Sequence, residues 1–293
     1  MKKPILLQKR ELIKPISQAI SRIEKIIEKT GALDSIVLEG LFALGVSSFE
    51  NSLSDTLKIL FYYIPDKLNI KDESIPKQQL LNGNPLVYTI EKKVTSITYK
   101  SLEEVLTCFC KAADIDSEII DDNDINHLKE IKATRNLLLH NNLIVNSFYL
   151  ATAGPNKREA QSNKRLNISQ EYLLMSLNTL KKILELYENE LSIKYSKYTK
   201  VNAIKKLFKY IFPTEIMKFD NEFDIDEKRD VISSIKSKTS KKKHLSSSER
   251  FYYDLWISHT HGHEFKIKPG QFFMLDDSDK LSFLFQHINL LKT

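Results

Sequence analysis

The chain is predicted to be all-α through its first two-thirds, and three observations carry that expectation. Apolar residues recur at three- and four-residue intervals from Ile16 to Leu191. Seven Gly and 8 Pro in 293 residues are too few for the many tight turns of an all-β chain. Ser or Asp stands just ahead of several apolar stripes, where a side-chain oxygen can cap a helix.

In order, Ile16, Ile20, Ile23 and Ile27 mark a first helix, closed by Gly31. A longer helix follows Asp34, with Leu38, Phe42, Val46, Phe49, Leu53, Leu57 and Leu60 on one stripe, and Pro65 ends it. Residues 66–100 stay open, because YTIEKKVTSITYK suits a helix or a short extended excursion. Ser101 is the N-cap of the next helix, with Glu103 and Glu104 in its first turn and Leu102, Val105, Leu106 and Phe109 facing the core. Asp124 is expected to cap a helix that puts Leu128, Ile131, Arg135 and Leu138 on one side. Ser169 caps a long helix striped by Leu173, Leu177, Leu180, Leu184, Tyr187 and Leu191.

The character changes near residue 200. A Lys-rich stretch from Lys228 to Lys243 reads as a connector or exposed basic surface, and FKIKPGQFFML suits a short hairpin. The expected organisation is therefore a helical domain over 1–199 and a small module over 200–293, all-α, or α+β if the hairpin forms.

The net charge of +6 and pI near 9.0 fit an anionic partner without singling out nucleic acid. Cys108 and Cys110 lie two apart on a predicted helix and cannot face each other, which argues against a mutual disulfide and for a reducing compartment. The N-terminal apolar run is only Ile5, Leu6 and Leu7, and no stretch approaches the roughly 20 apolar residues of a membrane span. A cytoplasmic protein with no membrane partner is expected.

Arg135-Asn136-Leu137-Leu138-Leu139-His140-Asn141-Asn142 holds the chemistry-bearing residues. Arg135 occupies the apolar stripe where a leucine would be ordinary, and an inward guanidinium is costly unless paired. Glu50 falls inside the stripe of the second helix, about 40° from Val46 and 20° from Leu57 on a straight helix. The two are expected to pair, either as a register-fixing salt bridge or as part of a catalytic site. Histidine titrates near neutrality and can take or give a proton, while arginine offers a permanent charge and a planar fork to phosphoryl oxygens. Asn136 and His140 share a helix face, and Asn136 could orient the imidazole or a phosphate. Arg135 and His140 are about 140° apart, so one straight helix cannot converge them. Either the helix frays near Leu139 or a second subunit supplies the complement. The plainer reading of His140 is a helix-terminal residue interacting with the dipole.

A Phe-Glu on the second long helix, then Arg-Asn-x-x-x-His, Asn-Asn-x-x-Val-Asn and a basic loop before a long amphipathic helix, resembles the HEPN superfamily over roughly residues 10–195. The resemblance implies a helical bundle and a metal-independent endoribonuclease with no cofactor, of the toxin or phage-defence kind. It places Arg135, Asn136 and His140 at the catalytic positions, and Glu50 at an acidic position found in some branches. It further implies a homodimer with both motifs lining one cleft, single-stranded RNA or tRNA as substrate, and a regulatory protein partner from the same system. Some toxins of the family carry a modifiable tyrosine two residues after the histidine; here that position is Asn142, which argues against that form of neutralisation. The alternative within the resemblance is a non-catalytic module that binds RNA or protein.

Residues 153–167 form a polar segment with Lys157, Arg158, Lys164 and Arg165, read as a solvated loop or, beside the motif, as a mobile grip on RNA phosphates to which Asn141 would contribute. His259, His261 and His263, with Glu264, suit a surface turn better than a zinc site. Phe251, Tyr252, Tyr253 and Trp256 suit the core of the small module better than a base-stacking platform.

Overall fold

A computed structural model describes residues 6–31, 33–70, 74–81, 85–199 and 202. The expectations for the Lys-rich stretch, the hairpin, Trp256 and the three histidines lie outside the described residues. Lys9–Lys197 form one compact unit. It is all-α, and no strand occurs among the described residues.

Among the described residues eight α-helices are named in order: α1 Lys9–Lys29, α2 Ser35–Tyr63, α3 Lys77–Leu81, α4 Pro85–Thr98, α5 Leu102–Ala113, α6 Asp122–Asn141, α7 Ser147–Thr152 and α8 Gln170–Lys194. Within the open stretch, YTIEKKVTSITYK is helical through Thr98: α4 buries Thr89, Ile90, Val94 and Ile97. Ser101 caps α5 in a full capping box with Glu104, and Ser169 caps α8 through the Tyr172 amide. The cap of α6 is a correction. Asp121 accepts from the Asp124 amide at 2.8 Å, and Asp124 sits in the first turn, buried and paired with Lys182 of α8 at 2.6 Å. Asp121 and Asp124 are three apart with similar chemistry, so the stripe alone could not choose between them.

α2 is the organising element. Its 29 residues and a mean hydropathy of 1.2 in its most apolar window would pass for a membrane span by length and composition, closer to one than the sequence reading allowed. Here it packs on α1, α4, α5, α6 and α8. Phe42, Val46, Phe49, Leu53, Leu57 and Leu60 are buried along it, and α8 answers with Leu173, Leu177, Leu180, Leu184, Tyr187 and Leu191. α8 comes close to α2 at Gly45, where an added Cβ would run into Leu177 Cδ2. Leu177 is fully buried and has little room to yield. Gly45→Ala is therefore expected to destabilise the domain by about 1–2 kcal/mol in urea unfolding, crowding outweighing the better helix propensity of alanine. A stabilised variant would mean the two helices separate freely. Both cysteines are free thiols, and Cys110 is buried against the Tyr187 hydroxyl.

Candidate functional site

α6 carries the motif and is buried on two sides, by α2 on one and by α7, the following loop and α8 on the other. Its C-terminus is closed by two consecutive left-handed residues, Asn142 (φ 47°) and Leu143 (φ 62°). The Asn142 and Leu143 amides both donate to the Leu137 carbonyl, the latter at 3.1 Å, so the left-handed pair folds back over the last turn. Asparagine tolerates that conformation better than an aromatic residue, which gives position 142 a local reason for its identity. The helix runs unbroken through Asn141, so the fraying considered near Leu139 does not occur.

On the α2 side, Arg135 Nη2 donates to Glu50 Oε2 and Nη1 donates to Asn136 Oδ1 at 3.0 Å. The expected Glu50–Arg135 pair is thus present, with side chains 27% and 17% exposed. Lys132, which the sequence reading passed over, brings its ammonium to 3.8 Å from Glu50 Oε1. Burial first, and the like charge of Arg135 behind it, hold that ammonium below the usual lysine range, against the opposing pull of Glu50. Lys132, Asn136 and His140 are spaced at four-residue intervals and form one stripe, a signal that was available in the sequence. His140 itself is exposed at the end of that stripe. Asn136 connects the two halves of the motif: it touches the guanidinium and stands one turn before the imidazole. An unbroken α6 keeps Arg135 and His140 about 140° apart around the helix axis. Glu50→Gln should lower unfolding stability by about 3 kcal/mol, since two cations would lose their carboxylate; an unchanged urea midpoint would show that the pair holds nothing.

On the other side, Glu130 is only 2% exposed and was not singled out in the sequence. It accepts from Thr134 Oγ1 at 2.6 Å, Tyr172 Oη at 2.7 Å, Tyr149 Oη at 3.0 Å and Arg158 Nε at 3.0 Å. Arg158 also donates to the Asn167 carbonyl at 2.7 Å and lies 3.6 Å from the centroid of the Tyr172 ring. Burial first, then the Glu130 charge, push Tyr149 up to about 12 and Tyr172 up as well, so both remain O–H donors.

The structure gives Arg158, one of the expected RNA contacts, an internal partner that the sequence reading did not foresee. Its guanidinium is spent on a buried carboxylate. The loop is pinned as well: Val145 N donates to Lys164 O and Asn163 N to Val145 O, both at 2.8 Å, and Leu166 N to Leu143 O at 2.9 Å. Gly154 (φ 70°) turns the chain back beside Lys129. Asn141, another expected RNA contact, gives its amide to the Ile144 carbonyl at 2.5 Å and so serves the turn. Lys157, Lys164 and Arg165 remain exposed, with Arg165 3.8 Å from Glu39. Pinning carries Lys164 and Arg165 alongside residues 143–145, just beyond His140.

No group of three or more His, Cys, Asp or Glu residues that could hold a metal occurs among the described residues. A separate cavity of about 440 Å³ between α1, α2 and α4, lined in part by Glu11, Lys14, Tyr62 and Tyr63, includes no motif residue.

The arrangement sets two cations and one carboxylate where α6 meets α2, with an exposed imidazole two turns further along the helix. Comparison with family models, curated proteins and solved structures finds no match to this chain.

Proposed function

We propose that the protein is a metal-independent endoribonuclease of HEPN type, a cytoplasmic toxin or anti-phage effector acting on single-stranded RNA or tRNA. One observation supports the reading: Arg135 donates to Asn136, which stands one helical turn before an exposed His140 near the end of α6. A degenerate binding module, the rival reading, has no need of all three.

In the proposed reaction the 2′-hydroxyl oxygen attacks the adjacent phosphorus and the 5′-oxygen leaves, producing a 2′,3′-cyclic phosphate. His140 handles the proton moving from the attacking to the leaving oxygen, and Arg135 stabilises the charge of the pentacoordinate state. Because the two residues diverge on a straight helix, the working site would combine Arg135 of one chain with His140 of another across a two-fold axis. Leu139 (54% exposed), next to His140, and Phe148 (60% exposed), at the start of α7, offer apolar surface for such a contact.

The test is purified full-length protein with total RNA in EDTA, beside His140→Ala. Cleavage by the parent alone, leaving cyclic phosphate ends, supports the reading. Loss of cleavage on chelation would move the chemistry to a metal and reopen His259, His261 and His263.

A further inference from the structure

Two cations, Lys132 and Arg135, converge on Glu50, and among the described residues Glu50 is the one carboxylate paired with either of them. The local charge is therefore +1 in a region where the three side chains are only 17–27% exposed. Partly buried excess charge is unfavourable without a counter-ion. A second observation points the same way: Arg135 Nε is buried and has no hydrogen-bond partner. A guanidinium whose Nη2 donates to Glu50 and Nη1 to Asn136 still has an idle donor, and a buried idle donor is costly. One anion at the exposed edge of Lys132 and Arg135 would balance the excess charge; the buried Nε lies out of its reach and shows only that protein acceptors leave the guanidinium unsaturated.

We propose that Lys132 and Arg135 together bind one phosphate group of the substrate backbone, with Glu50 holding the two cations at the spacing that phosphate needs. Lys132 is thus a substrate-binding residue that the Arg-x(4)-His motif does not include. Its place in the Lys132–Asn136–His140 stripe puts the bound phosphate on the face that ends at the imidazole. The inference deepens the proposed ribonuclease site and rests on that reading for its substrate, though the phosphate site can be measured without turnover.

The experiment titrates full-length protein with inorganic phosphate, then with a 2′-deoxy oligonucleotide that cannot be cleaved. Lys132→Gln is compared with Lys132→Arg and with Lys58→Gln, whose ammonium pairs locally with Asp55 at 2.8 Å. Lys132→Gln should weaken phosphate binding about tenfold and reduce the slope of log affinity against log salt by about 0.7. Lys132→Arg and Lys58→Gln should stay near the parent. A structural role alone would lower the melting temperature without moving the salt slope. Phosphate binding that ignores Lys132→Gln, or no binding by the parent, overturns the proposal. Lys132-dependent phosphate binding in a protein that cuts no RNA supports this site and overturns only the nuclease reading.

Discussion

His140→Ala should reduce RNA cleavage by about 10²–10⁴-fold, the usual contribution of a positioned acid–base group, while leaving the melting temperature nearly unchanged. The fold tolerates the loss because His140 is exposed in the last turn of α6, whose end is held by the Leu143–Leu137 bond and by the buried Leu137 and Leu143. Its only expected structural contribution is a dipole interaction of a few tenths of a kcal/mol at the helix terminus. Arg135→Ala should be comparably inactive but also less stable, since it leaves Glu50 without its guanidinium. Mixing the two inactive chains then tests the composite site. If each site takes Arg135 from one chain and His140 from the other, mixed dimers contain one intact pair and recover part of the parent rate. A monomer that cleaves RNA at full rate would refute the shared site and leave the residue assignments standing.

Glu130→Gln should be the most damaging single change to stability, at about 3–5 kcal/mol in urea unfolding. That is a large share of the roughly 5–15 kcal/mol that holds a domain together. Four donors converge on this carboxylate, and removing its charge leaves the Arg158 guanidinium without its ion pair beneath the loop. The double variant Glu130→Leu with Arg158→Leu should cost less than the sum of the two single Leu variants, because no lone charge remains. Strictly additive losses would show that the two groups are not coupled. The same geometry separates the basic residues of the loop by readout. Arg158→Ser should lower stability, whereas Ser at Lys157, Lys164 and Arg165 should flatten the salt dependence of RNA binding and leave stability close to the parent.

Much of the scaffold was legible in the amino-acid order, because helices are local. The stripes of α1, α2, α5 and α8, the stop before Pro65 and the caps at Ser101 and Ser169 follow from spacing and from side chains within four residues of the groups they satisfy. The inward Glu50 and Arg135 could be paired from afar because each broke an apolar stripe, and an unpaired charge there would be too costly to keep. α6 was harder. With buried faces on two sides its pattern is weakly amphipathic, so Glu130 looked like an ordinary solvated charge beside Ile131. Its main partner, Arg158, is 28 residues away in a polar loop, and nothing in the order of residues says which of four basic side chains turns inward. That choice is made when the loop closes against residues 143–145, placing Arg158 over Tyr172 and leaving Lys157, Lys164 and Arg165 in water. The pairing of Lys132 with Glu50 has the same origin. Helix spacing aligns Lys132 with Asn136 and His140, but only the packing of α6 on α2 brings two cations to one carboxylate, and Coulomb energy depends on that distance rather than on separation along the chain.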